Sequence, residues 1–141
     1  MPCRYEIFDE LNLVRITFSG ALTTSEMLDL IDQLDADPRY HPTIDELGDF
    51  QTLTDIAFDS ETMKNLNDLI LGLYLRSNRR KRIAQIAPNE PGRTVAVAFR
   101  FAMQGNPNLD TEVFDSASDA LAFLGHPADL ILQTRKLPAS G

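Results

Sequence analysis

Apolar residues recur along residues 11–34, LNLVRITFSGALTTSEMLDLIDQL, first in the rhythm of a strand and then in that of a helix. Leu11, Leu13, Ile16 and Phe18 stand among polar neighbours, and Val14 thickens the run. The β-branched and aromatic content predicts a pleated, mostly buried strand, which Gly20 ends. Thr23 suits a helix N-cap, because its hydroxyl can accept from an orphan backbone N–H. Glu26, three residues on, completes a capping box, and Leu22 and Met27 hold the staple positions. Met27, Leu30, Ile31 and Leu34 then share one helical face, with Asp29, Asp32 and Asp35 off it. Pro38 stops the helix, since the residue before a proline avoids the α region.

The same reading extends along the chain. Arg4–Phe8 alternates as a first strand, joined to the second by a turn at Asp9–Glu10. Residues 44–50, IDELGDF, predict a third strand weakened by Gly48, followed by a connection over 51–59. Asp59 or Ser60 caps a long helix to about Ser77, with Phe58 and Met63 at the staple positions. Residues 82–87, RIAQIA, form a short buried strand ended by Pro88. Pro91 opens a helix that runs to about Gln104. Thr111–Phe114 is the last strand, and Ser116 and Gly125 bound the last helix. The order ββαβαβαβα predicts an α/β domain over residues 1–125. Its sheet is mixed and mostly parallel, with five strands and about four helices. Residues 126–141 are expected to form a tail, with an apolar patch at Leu130–Leu132 available to pack back onto the domain.

Composition narrows the function classes. The chain has 141 residues, 43% of them hydrophobic, with a mean hydropathy of −0.18. That supports one sizeable core, and no apolar run reaches a membrane span. The N-terminus lacks a signal-peptide core. Cys3 is the only cysteine, so disulfides and cysteine metal clusters are not expected, and a cytoplasmic location is. The net charge of −8 argues against nucleic-acid binding. That charge is uneven: residues 1–62 carry 14 acidic and 3 basic groups, residues 63–141 carry 7 and 10.

The ordered motifs resemble a known family. LVRITFSGALT (13–23), the acidic third strand ending Gly48–Asp49, RIAQIAP (82–88) and VFDSASDALAFLG (113–125) look like the SpoIIAA-like proteins. These bacterial proteins have a fold related to the STAS domain of anti-sigma-factor antagonists, and their function is largely unassigned. Phe123 stands where that family often has tryptophan. The resemblance implies a non-enzymatic regulatory or protein-binding module. In partner-switching STAS proteins a serine at the start of the helix after the third strand is phosphorylated. Phe58-Asp59-Ser60-Glu61 resembles that site, although Glu61 and Thr62 replace its second small residue and glycine. Ser60, with Asp59 beside it, is therefore the candidate phosphorylation or partner site, and ordinary helix capping is the plainer reading.

No nucleophile elbow, phosphate loop or dinucleotide fingerprint is present. His41 and His126 lack metal-ligand spacing, so no metal and no cofactor is expected. Asp49 is the carboxylate to watch, because strand ends in parallel sheets face ligand crevices; capping the following turn is its simpler role. Arg76, Arg79, Arg80, Lys81 and Arg82 form a dense positive cluster. It complements a helix C-terminus or meets an acidic partner, a second copy included. The helix after Asp59 is apolar nearly all round, with Leu69, Leu71, Tyr74 and Leu75 outside its main stripe. The next helix carries Phe99 and Phe101 in the same manner. Such helices are covered on more than one side, by a homodimer interface, which we prefer, or around a pocket. A carrier or sensor of a small apolar or amphipathic ligand, held between sheet and helices, is the alternative function.

Overall fold

The computed structural model describes residues 3–127 and 129. Its strands and α-helices in chain order are β1 (Cys3–Phe8), β2 (Leu13–Leu22), α1 (Thr24–Ala36), β3 (Asp45–Ile56), α2 (Ser60–Tyr74), β4 (Lys81–Ile86), α3 (Gly92–Met103), β5 (Leu109–Phe114) and α4 (Ala117–Phe123), with a 3-10 turn over Asp9–Leu11 between β1 and β2. The strands form one sheet in the order β1-β2-β3-β4-β5. β1 runs antiparallel to β2, and every other pair is parallel. The tail's apolar patch at 130–132 lies outside the described residues.

This topology decides where the helices sit. From β2 to β5 each parallel strand is placed one position further in the same direction. Right-handed crossovers therefore stack α1, α2 and α3 on one face. Side chains alternate between the faces. Val14, Ile16, Phe18 and Phe50 enter the core beneath α1 and α2. Ile83 meets Tyr74, Phe99 and Met103 from α2 and α3. Leu13, Leu47, Ala84 and Ile86 point the other way and pack with Ala120, Leu121 and Leu124 of α4.

The helix boundaries follow from capping. Thr23 accepts from the Glu26 N–H at 3.2 Å, and its staple residues Leu22 and Met27 are both buried. Asp59, not Ser60, caps α2, accepting from the Thr62 N–H at 2.8 Å. Ser116 caps α4 through the Asp119 N–H. At the far end of α4, Gly125 turns left-handed at φ 82°, and the Gly125 and His126 N–H groups reach back to Ala122 and Leu121. That is the Schellman arrangement.

The third strand differs from its sequence reading: it continues to Ile56 instead of ending near Phe50. β4 accompanies it only as far as Asp49. Beyond that point only β2 pairs with it, through two register shifts. Gln51, Thr52, Thr54 and Asp55 face solvent there, and their polarity reads as a loop. Asp49 thus lies within β3, not at its end.

Two glycines have opposite roles. A Cβ on Gly92 would come within 2.8 Å of Phe50 Cβ and 3.0 Å of the Phe50 carbonyl oxygen, so the start of α3 rests directly on the β3 backbone. Gly72, exposed on α2, has nothing within 4 Å of an added methyl. Gly92→Ala should cost about 1–3 kcal/mol by overpacking, whereas Gly72→Ala should add about 0.5–1 kcal/mol. Urea midpoints at unchanged slope read both.

The end of α1 is tied to the edge strand through Asp37. Its carboxylate accepts from Arg39 Nη2 at 2.8 Å, Arg39 Nε at 3.1 Å, the Arg39 N–H at 2.9 Å and the Tyr5 hydroxyl at 2.9 Å. These hydrogen bonds, the Arg39 side chain's foremost, hold the carboxyl well below the usual carboxylate range. A group whose folded pKa is depressed contributes fully above its unfolded pKa and loses that contribution as pH falls toward the folded value. Asp37→Asn should therefore be less stable than the parent at pH 7. The difference should shrink below about pH 4, as denaturant titrations at pH 7 and pH 3 would show.

Candidate functional site

Between the sheet and the α1–α2 layer lies a partly open cavity of about 80 Å³. Phe18 and Phe50 floor it, their rings stacked at 4.5 Å and nearly parallel. Ile31, Phe58, Met63 and Ile70, all half-buried, stand toward its outer side. Among its many apolar lining residues are a few polar ones, and Glu46 is the one carboxylate. Neither histidine nor any arginine or lysine contributes to the lining.

Glu46 is fully engaged. Parity places it on the helix-covered face of β3, 5% exposed. Lys81 Nζ, from the start of β4, approaches its Oε2 at 2.7 Å and is itself 1% exposed. The Tyr40 hydroxyl donates to Oε2 at 2.9 Å and the Tyr74 hydroxyl to Oε1 at 2.8 Å. The ammonium also lies 4.3 Å from the Tyr74 ring centroid and 5.2 Å from that of Tyr40, a cation–π arrangement. Burial, reinforced by the Glu46 charge, raises both phenol pKa values. Both hydroxyls therefore stay protonated and donate. The cluster binds the segment after α1, the end of α2 and two strands at one point.

Two amides complete the polar lining. Asn67 on α2 is 8% exposed and Gln85 on β4 is 4% exposed. Gln85 Oε1 is buried without a hydrogen-bond partner. A buried acceptor left unpaired costs roughly 1–3 kcal/mol.

The residues singled out in the sequence are distributed as follows. Ser60 is exposed at the first residue of α2, directly after the capping Asp59, whose carboxyl the Thr62 hydrogen bonds hold low. Its neighbours Phe58 and Met63 both line the cavity. Asp49 faces away from the cavity, 3.9 Å from Arg15, and accepts from the Gln51 N–H and side-chain amide. Tyr74 and Phe99 turn inward and line the cavity, while Leu71 is half-buried. Leu69, Leu75 and Phe101 are 50%, 57% and 75% exposed. In the positive cluster Arg76 pairs with Asp35, Arg80 with Asp110, Arg82 with Asp45 and Lys81 with Glu46. For Arg79 the side chain is exposed and its backbone N–H meets Ser77.

Sequence reasoning did not single out Tyr40, Glu46, Asn67 or Gln85, and it took Lys81 for a surface charge. One signal was present: Gln85 is the lone amide inside the apolar run of β4. Cys3 is buried. Desolvation, then the Glu26 charge, pushes its thiol up to about 12, so it remains protonated. Among the described residues no group of three His, Cys, Asp or Glu could hold a metal ion. Among them, too, no helix is long and apolar enough to cross a membrane.

Comparison with known proteins bears on the architecture. No protein-family model matches the sequence, and a sequence comparison with curated proteins finds no match. Solved structures similar to this chain include the following two. One is an uncharacterised protein of the DUF3478 family with a SpoIIAA-like fold, from Shewanella loihica PV-4. It is 24% identical, over 86% of this chain and 91% of that one, with a TM-score of 0.50. The other is the anti-sigma factor antagonist SpoIIAA in its unphosphorylated form, 12% identical over 96% and 99%, with a TM-score of 0.53. This chain has a SpoIIAA-like fold. The mixed five-stranded sheet and four helices expected from the sequence are those of these neighbours.

Removing the ammonium from the buried cluster should be severe. Lys81→Met leaves Glu46 charged and buried with only two neutral donors, and should cost about 3–5 kcal/mol. Adding Glu46→Gln should recover part of that loss, since the amide needs no counter-charge. A double-mutant cycle by urea denaturation measures the coupling.

Proposed function

We propose that this chain is a non-enzymatic regulatory module that acts by contact with a protein partner, a second copy of itself included, around the start of α2. The observation that carries this reading is the exposed Ser60, set on the first turn of α2 between two residues, Phe58 and Met63, that line the interior cavity. A charge change at Ser60 acts on a surface, and the same turn reports on the core. SpoIIAA, which shares the fold, is an anti-sigma factor antagonist whose structure is that of an unphosphorylated form. A phosphate on Ser60 would gain from the α2 N-terminus and lose against Asp59 and Glu61, so the modified state would differ most in its local surface. Leu69, Leu75 and Phe101 add exposed apolar area on α2 and α3.

A second reading, a carrier or sensor of a small amphipathic ligand, is favoured by the unpaired Gln85 Oε1 in the cavity. Native mass spectrometry of the protein isolated gently from its own host separates the two. The first reading expects the mass of one phosphate, mapped to Ser60 and abolished by Ser60→Ala, or a bound protein or dimer that Ser60→Asp releases. An unmodified species carrying a small molecule would favour the second. A bare, unmodified monomer at micromolar concentration would overturn both.

A further inference from the structure

The polar groups of the cavity constrain what can occupy it. Glu46 is the one ionised side chain among the lining residues, and Lys81, Tyr40 and Tyr74 already saturate it. A cation would find no free carboxylate there, and an anion would find no free cation. What the wall leaves open is a neutral acceptor, Gln85 Oε1, 4% exposed and unpartnered. The amide of Asn67 lies in the same lining. The remaining surface is apolar. A volume of about 80 Å³ is roughly half that of a dry cavity known to hold benzene, about 150 Å³. It has room for the polar end and first carbons of a slim chain, whose remainder reaches toward the open side.

We propose that the cavity binds a small neutral amphipathic molecule, an unbranched apolar chain bearing a hydroxyl or amide N–H. Its donor sits on Gln85 Oε1, and its chain lies over the stacked Phe18 and Phe50. This assignment rests on the second reading above and adds the chemistry of the ligand. It explains why an amide stands between Ala84 and Ile86 in β4, and why the adjacent strand carries Gly48 beside it. A Cβ on Gly48 would meet Phe50 Cε2 at 3.5 Å and Gln85 Cγ at 3.6 Å, ordinary contacts that would narrow the cavity without strain.

The test is a titration of the full chain with 1-hexanol, hexanoate and hexylammonium at pH 7, followed by backbone amide shifts in two-dimensional NMR and by Tm. Hexanol is expected to move the Gly48, Gln85 and Phe99 resonances and to raise Tm. Hexanoate and hexylammonium should bind at least tenfold more weakly. Gln85→Leu should weaken hexanol about tenfold, the usual worth of one buried hydrogen bond. Gly48→Ala should weaken it several-fold by occupying space, and it supplies the result should Gln85→Leu fail to fold. If hexanoate binds as well as hexanol, or if hexanol is indifferent to both substitutions, the head-group assignment is wrong while a ligand in the cavity stands. If none of the three probes moves the cavity resonances, Gln85 is satisfied by water alone, and both the assignment and the ligand reading fall.

Discussion

The buried carboxylate of Glu46 is the constraint around which the helix-covered half of this molecule is arranged. A charge at that depth is tolerable only when its lone pairs are filled. Filling them requires the segment after α1, the last turn of α2 and the first residue of β4 to arrive together. One group therefore fixes the distance between the helix layer and the sheet near β3 and β4. The cavity begins at this anchor, whose Glu46, Tyr40 and Tyr74 belong to its lining, and extends between the sheet and the helices to Met27, Phe58 and Met63.

The architecture was legible because its signals are local. The capping residues Thr23 and Ser116, the staple pair Leu22 and Met27, and the C-terminal Gly125 each act within a few residues, and all are visible in a string of letters. The order of strands and helices then leaves few arrangements once crossovers are right-handed. The second half of β3 was hidden for an equally physical reason. A strand paired on one side only exposes polar residues, and its alternation fades into that of a loop.

The site was much less legible. Its polar members are Tyr40, Glu46, Asn67, Tyr74 and Gln85, drawn from four separate segments, and their meaning depends on which strand neighbours which. Lys81 sits in a run of surface arginines, and only the pleat of β4 sends it inward while Arg82 turns to Asp45 on the opposite face. The apolar excess on α2 and α3 was visible, but not its division. Tyr74 and Phe99 serve the interior, whereas Leu69, Leu75 and Phe101 meet solvent, so one stripe in sequence became two surfaces.

The division of charge along the chain has a consequence for how the protein is made. Three ion pairs, Asp35 with Arg76, Asp45 with Arg82 and Glu46 with Lys81, join the acidic first 62 residues to the basic segment 76–82. A polypeptide emerges from the ribosome N-terminus first. The nascent acidic portion repels itself and resists premature collapse, and it lacks the cations that complete its third strand. Residues 76–82 deliver those cations in one short burst of synthesis. The ordering of β3 and β4 is thereby coupled to the moment at which the second half of the chain becomes available.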